Sequence, residues 1–400
     1  MGRSRLRATR AAAVAAALVS VAACTGRVAS APPSFPERTW SSGATPTTDG
    51  GAVGAVTLQP PCDTTQAGAP TTVQGWNDWA FGFERPLWQA ADVGASVRLQ
   101  DGRSLWVFGD TLRAEGERPR LVSNSMLVTS GDCTSQVVTP SQGPVIPDSP
   151  TGSVCWPASV AARPQGAGNQ VLVGCSRIQR GDTGGGLLSF TYLGLTLATF
   201  DVGPGGAPVL AKTVDVTPDN PDVRQVNWGT ALLVDQGYLY VYGTRAADAG
   251  GARALLVART TFDQAIDRRS WRYWNGTGWG TAEGAAAPVI DGTDGVSQAL
   301  SVSRIGNRYV AVSKVGGDFG DRIGEWTAPS PRGPWRLAAS LPVPPRESDG
   351  VITYQPLAHP EQRLASGKLL VSMSRLPEKL DDLAADARKG RLRFYELPRP

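Results

Sequence analysis

One unit recurs five times along this chain, and that repetition restricts the fold more than any other feature. The unit is a short strand opening on a polar or aromatic residue, a turn, a second strand ending in Gly or Ser plus a polar group, and a third strand. A tryptophan-bearing segment often follows. The first copy joins Asp92 to Leu105-Trp106-Val107-Phe108-Gly109-Asp110, and the second joins Cys155-Trp156-Pro157-Ala158 to Val171-Leu172-Val173-Gly174-Cys175. A third runs from Asn227-Trp228-Gly229-Thr230 through Leu239-Tyr240-Val241-Tyr242-Gly243 to Trp271-Arg272-Tyr273-Trp274. The fourth extends from Ser297-Gln298-Ala299-Leu300 through Tyr309-Val310-Ala311-Val312-Ser313-Lys314 to Gly333-Pro334-Trp335, and the fifth pairs Tyr354-Gln355-Pro356-Leu357 with Leu369-Leu370-Val371-Ser372. Helical periodicity is nearly absent until about Leu380 to Arg388. Five such units, at a spacing of about 55 to 75 residues, predict an all-β chain folded as a five-bladed β-propeller. The segment Ala52 to Leu58 is expected to close the ring by pairing with the last blade, which lacks an obvious fourth strand.

The N-terminus is of a different kind. Arg3, Arg5, Arg7 and Arg10 precede an apolar run from Ala11 to Ala23, too short to span a bilayer comfortably and typical of an export signal. It ends in Val21-Ala22-Ala23-Cys24, similar to the bacterial lipobox, in which the cysteine is lipidated; ordinary cleavage nearby is the alternative. The expected organisation is a lipoprotein signal peptide over 1–23, a flexible Ser/Thr/Pro/Gly-rich tether over 24–75 and the propeller over 76–400. This places the domain outside the cell, anchored to the membrane through its lipid. Loss of the signal removes four of the 39 basic residues and leaves 35 against 35 acidic ones. A chain near neutrality gives no support for a nucleic-acid partner, which calls for a basic face. A monomer is expected.

Apart from Cys24, the cysteines are Cys62, Cys133, Cys155 and Cys175, an even number in an exported chain, so two disulfides are expected. Three connectivities are open. A zinc site is disfavoured, because no Cys-x-x-Cys pair occurs and His359 is the only histidine. No cofactor is expected; calcium in a central channel is left open, although no EF-hand-like loop occurs.

Chemistry concentrates in the first copy. Ala95 to Leu99 and Ser104 to Phe108 flank Gln100-Asp101-Gly102, with glycine where a three-residue turn with a bulge needs positive φ. A loop centred on Asp101 makes residues whose numbers sum to 202 face each other, which sets Asp92 opposite Asp110. Such residues have Cβ atoms about 4.5–5.5 Å apart. Two carboxylates held so closely repel, and one is expected to keep its proton near neutrality. A two-residue Asp-Gly turn would shift the register and send the side chains to opposite faces. Aligning Ala95-Ser96-Val97 with Ala158-Ser159-Val160 puts Cys155 at the place of Asp92, and Cys175 falls at the place of Asp110. A Cys155–Cys175 bond would therefore bring the two positions together, and Cys62–Cys133 would follow by elimination.

In propellers the first strands line the channel, so its mouth is expected to collect Asp92, Asp110, Trp156, Trp228, Arg245, Lys314, Tyr354 and Arg375. A polar funnel with aromatic walls suits sugars. Glu325, Asp294 and Asp349 stand in reserve as further acids. His359, before Pro360 and away from the funnel, reads as structural.

The combination of Asp92-Val93-Gly94, Val107-Phe108-Gly109-Asp110-Thr111, Pro331-Arg332-Gly333-Pro334-Trp335 and His359-Pro360-Glu361 ahead of Val371-Ser372 resembles a secreted actinobacterial propeller family formerly of unknown function. Its characterised members are endo-D-arabinanases of glycoside hydrolase family 183. The resemblance covers roughly residues 75 to 398. It implies Asp92 and Asp110 as the catalytic pair; Trp156, Trp228, Arg245, Tyr354 and Arg375 of the funnel are the expected substrate contacts. It also implies hydrolysis of α-D-arabinofuranosyl linkages in mycobacterial-type arabinogalactan or lipoarabinomannan. An inverting reaction with Asp92 as base and Asp110 as acid, or the reverse, would fit. Ser372-Met373-Ser374-Arg375 departs from the pattern, which has an aromatic residue and an asparagine there. The competing reading is a cell-wall glycan-binding propeller lipoprotein that cuts nothing. Sialidase is disfavoured, since no Ser-x-Asp-x-Gly-x-x-Trp turn occurs.

Overall fold

A computed structural model describes residues 55–64, 67–181, 189–246 and 251–400. Five antiparallel sheets follow one another along the chain, as the repeat requires. The first contains β1 (Thr57–Gln59), β2 (Ala90–Arg98), β3 (Ser104–Leu112), β4 (Leu121–Val122), β5 (Ser125–Ser130) and β6 (Cys133–Val138). The second is built from β7 (Ser153–Gln165), β8 (Gly168–Arg180), β9 (Phe190–Val202) and β10 (Val209–Asp215). Blade three holds β11 (Asn227–Asp235), β12 (Tyr238–Ala246), β13 (Arg253–Thr260), β14 (Arg272–Trp274) and β15 (Trp279–Gly280). Blade four holds β16 (Ser301–Ile305), β17 (Arg308–Lys314), β18 (Arg322–Ala328) and β19 (Arg336–Pro342). Among the described residues blade five has only β20 (Ile352–Ala358), β21 (Leu369–Leu376) and β22 (Arg393–Leu397). The inner strands β2, β7, β11, β16 and β20 surround a channel cavity of about 330 Å³ lined by small residues such as Ala95, Ala158, Ala231 and Ser301. The molecule is a five-bladed β-propeller.

Each strand turns alternate side chains to its two neighbouring blades, so the core consists of apolar layers between blades. Val107, Val171 and Phe200 pack in the layer between blades one and two. Leu197, Val241 and Trp271 belong to the next, Tyr242, Val257 and Trp326 to the third, and Val312, Val371 and Met373 to the fourth.

The fifth layer departs from expectation. β1 pairs with β6 at the outer edge of blade one (Thr57 opposite Val138), not with the last blade. Cys62 bonds to Cys133, with Cα atoms 5.8 Å apart. Much of the stretch from 55 to 75, assigned by its composition to the tether, is therefore built into the propeller. What closes the ring is α1 (Val73–Gly82), started by the Thr72 side chain, which accepts from the Gly75 N–H. Its Trp76 and Trp79 pack with Trp106 of blade one and Phe394 of blade five. On the free edge of β22, the Asn77 side-chain amide donates to the Phe394 carbonyl (3.1 Å) and accepts from the Phe394 N–H (2.9 Å). A side chain thus supplies what a fourth strand would have supplied.

Polar ties reinforce this junction. His359, fully buried, lies between Ser96 of β2 (Nδ1 to Oγ 2.6 Å) and Ser372 of β21 (Nε2 to Oγ 2.8 Å), and burial pushes its pKa down to about 3. Buried Arg391 donates to the carbonyls of Gln89 (2.7 Å) and Phe81 (2.6 Å). The departure in blade five also falls here. Ser374 accepts the N–H of Val93 (2.9 Å) and so holds blade five to blade one directly, while Ser372 does so through His359.

Candidate active site

β2 and β3 pair as the three-residue turn predicts: Ala95 faces Val107, Ser96 faces Trp106, and farther out Ala91 faces Thr111. Every one of these pairs sums to 202. Between them the ladder is interrupted, with Val93 facing Phe108. Val93 and Gly94 both adopt left-handed backbone, φ 69° and 70°. For a β-branched residue that conformation is strained, and the fold holds it by the bond from Val93 N–H to Ser374. The bulge turns Asp92 against β3, where its Oδ1 packs on Gly109. A Cβ at 109 would stand 2.3 Å from that oxygen, so only glycine fits. Asp92 Oδ1 is buried without a hydrogen-bond partner among the described residues, whereas Oδ2 accepts from the Tyr354 hydroxyl (2.8 Å). Burial pushes the Asp92 pKa up to about 7; the Asp110 charge adds to this, and the Tyr354 bond and the more distant Arg180 oppose it.

Asp110 has a different setting. Its carboxylate forms a two-point ion pair with Arg180, Nη1 donating to Oδ2 (2.9 Å) and Nη2 to Oδ1, and Oδ1 also accepts from the Trp156 indole N–H (2.9 Å). Arg180 lies over the Trp156 ring, 5.4 Å from its centre, and Phe190 meets that ring edge-on at 4.9 Å. Phe190 remains 37% exposed, leaving an aromatic surface beside the carboxylate.

The residues gathered here come from the same end of three consecutive blades: Tyr354 from blade five, Asp92 and Asp110 from blade one, Trp156 and Arg180 from blade two. Asp148, exposed in the connection leading to β7, acts on this group through its charge; the Ser123 hydroxyl donates to its Oδ1. Burial raises its pKa, Asp110 adds to the effect, and Ser123 and Arg180 oppose it.

Two predicted substrate contacts lie elsewhere. Trp228 is 2% exposed and plugs the layer between blades two and three, against Trp271 and Tyr273, with its indole N–H donated to Glu283 (2.6 Å). Arg375, 5% exposed, is taken up by Glu347, to which Nε and Nη2 donate, and by the Arg388 carbonyl (2.9 Å). Both are large side chains at strand ends whose second face is covered by a neighbouring blade or loop. Lys314 is likewise buried, donating to the Thr353 carbonyl (2.6 Å), with its pKa lowered to about 8 by burial. Arg245 stands half-buried at the site end of β12. Glu325 lies opposite Val312, on the face toward blade five, and is no part of the site.

Cys155 bonds to Cys175 across β7 and β8, Cα atoms 5.2 Å apart. The two are not directly opposed. Cys175 faces Pro157 and Cys155 faces Arg177, so the bridge runs diagonally. Cys24 and the signal segment lie outside the described residues.

Sequence reasoning missed Arg180, Asp148 and Phe190. β8 runs five residues past Cys175, so Arg180 reaches the site from beyond the point where the repeat seemed to end. Asp148 sits in a loop with no periodicity to mark it. Among the described residues no group of three or more His, Cys, Asp or Glu is arranged to hold a metal ion.

Over residues 80–389 the sequence matches a family described as a domain of unknown function, DUF5005. No curated protein matches it. Among solved structures, a presumed hydrolase from Bacteroides ovatus is similar at 17% identity with a TM-score of 0.61, over 85% of this chain and 93% of that one. A family-43 β-xylosidase/α-arabinofuranosidase from a compost metagenome gives 13% identity and 0.44, over 78% of this chain and 93% of that one. A family-43 enzyme from Xanthomonas citri gives 15% and 0.42, over 80% and 93%.

Proposed function

From the premise that the chain belongs to the DUF5005 family, we propose that it is a glycoside hydrolase in which Asp92 and Asp110 form the carboxyl pair. The substrate in this reading is a furanosyl glycan, the α-D-arabinofuranosyl linkages of mycobacterial-type arabinan. The observation that carries the proposal is the contrast between the two carboxyls. Asp92 keeps its proton to about pH 7 in a buried, strained bulge, while Asp110 is ion-paired to Arg180. Glycoside hydrolysis needs one carboxylic acid to protonate the leaving oxygen and one carboxylate to activate water or attack. The settings favour Asp92 as the acid and Asp110 as the carboxylate, the reverse of the first assignment suggested by sequence. Trp156 and Phe190 would stack on the C–H faces of the sugar, and Tyr354 would orient the acid.

The resemblance of the Asp92-Val93-Gly94 and Phe108-Gly109-Asp110 motifs to family-183 endo-D-arabinanases supports arabinan as substrate. The two disulfides fit an oxidising compartment outside the cytoplasm, in keeping with export and anchoring at Cys24. The test is to incubate wild type, Asp92→Asn and Asp110→Asn with mycobacterial arabinan and follow oligosaccharide release. Wild type should release products, and each variant should lose about 100-fold or more. Equal release by the variants would remove the pair from the chemistry. Binding without any release by wild type would identify a glycan-binding module.

A further inference from the structure

Gln355 holds a backbone conformation that glycine adopts freely and other residues adopt only under strain. Its φ is 50°, and it precedes Pro356, which presses the residue before it toward extended backbone. Here the β20–β21 ladder breaks as the β2–β3 ladder breaks at Val93: Tyr354 faces Ser374, Leu357 faces Ser372, and Gln355 with Pro356 bulges between them. Neighbours on a regular strand point to opposite faces. The bulge cancels that alternation, so Tyr354 and Gln355 both reach toward blade one. Tyr354 donates to Asp92 Oδ2 (2.8 Å), and Gln355 Oε1 accepts from the Ser374 hydroxyl (3.3 Å), the same group that takes the Val93 N–H (2.9 Å).

A glutamine at a left-handed position costs stability that a glycine there would not, and strain of this kind persists where it serves a site. The long bond from Ser374 is too weak to account for it. Ser374, 0% exposed, has one hydroxyl proton, and giving it to Oε1 fixes which end of the Gln355 amide points inward. The amide nitrogen is thereby turned away from Ser374, and its two N–H groups have no partner among the described residues. Gln355 is half-buried, so these donors are open to a ligand at the mouth of the funnel.

We propose that Gln355 is a substrate-binding residue of this site: its amide N–H groups donate to hydroxyl oxygens of the furanosyl unit bound beside Asp92. Its carbonyl, gripped by Ser374, ties the position of that unit to the Val93 bulge that aims the acid. This rests on the glycan reading of the site for its ligand.

The test uses the whole chain, 15N-labelled, with mycobacterial arabinan oligosaccharides as the probe. The Gln355 side-chain amide signals, assigned by their loss in Gln355→Gly, should shift saturably as oligosaccharide is added. Gln355→Gly relieves the left-handed strain and keeps the Val93–Ser374 bond, so it should melt no lower than wild type while KM rises about five- to tenfold and kcat stays within about threefold. Gln355→Met, which fills the same space without donors, should raise KM equally. Amide signals unmoved by saturating oligosaccharide overturn the proposal, as does a Gln355→Gly variant with unchanged KM or one that melts below wild type and loses only kcat, the mark of a structural role. If wild type cleaves no arabinan, shifted amide signals and weaker binding by Gln355→Gly still uphold the contact while the hydrolase reading falls. If wild type cleaves and the signals stay put, the contact falls alone.

Discussion

Replacing Glu325 by glutamine should stabilise the protein, and by an amount that depends on pH in a way only a lone buried acid would produce. Glu325 is 1% exposed, its Oε2 has no hydrogen-bond partner among the described residues, and it shares a face with Val312 in the apolar layer against blade five. Burial pushes its pKa from 4.5 up to about 7. At about 1.4 kcal/mol per pH unit, that interval corresponds to about 3 kcal/mol against the folded state once the group ionises. The sign follows from which state ionises first. Below pH 4.5 the carboxyl is neutral in both states and costs nothing as a charge. Between 4.5 and about 7 the unfolded chain ionises while the folded one resists, so stability falls as pH rises; above about 7 the loss is constant. Glutamine, neutral and of the same shape, removes the loss. Urea unfolding of wild type and Glu325→Gln should therefore give equal stabilities at pH 4 and a difference of about 3 kcal/mol in favour of the variant at pH 8. Asp92 titrates in the same direction in both proteins and cancels in the comparison. A variant less stable at pH 8, or a difference that ignores pH, would refute the reasoning.

Three further outcomes follow from the site and its surroundings. Gly109→Ala places a methyl group 2.3 Å from Asp92 Oδ1, so it should displace the acid, cost about 1–3 kcal/mol and reduce activity more than a distant Gly→Ala change; a fully active variant would refute the close packing. Trp228→Ala should destabilise by about 3–5 kcal/mol, while Trp156→Ala should leave stability nearly intact and raise KM, a split readable from thermal melts and kinetics. In wild type, kcat/KM should fall as pH rises through about 7, because the acid form of Asp92 is then lost; a flat profile from pH 6 to 8 would exclude Asp92 as the proton donor.

The hairpin and the propeller were legible because both rest on local periodicity. The turn at Asp101 to Gly102 fixed the 202 register, and the five repeats fixed the blade count. The bulge at Val93 and Gly94 was not legible, since it depends on Ser374, 281 residues away. Nor was the fate of Trp228 and Arg375, for a strand-end side chain is exposed or buried according to what the next blade lays over it. Ring closure failed in prediction for a related reason: short-range pattern identifies a strand, but β1 had two edges to choose from, and Cys133 lies beside the one it took. Arg180 escaped because an ion pair between blades has no period, and Asp148 because its loop has none.

The junction between blades five and one has a consequence for how the protein fails. Among the described residues no strand crosses it; indoles, the Asn77 amide, His359 and Arg391 do. Parting it breaks side-chain contacts while leaving every β-ladder intact, so it is a candidate for the lowest-energy opening of the ring. Tyr354 and Asp92 stand on opposite sides of that line. On warming, the acid would lose its phenol partner before the sheets melt, and catalytic competence and folded structure would have separate thermal thresholds.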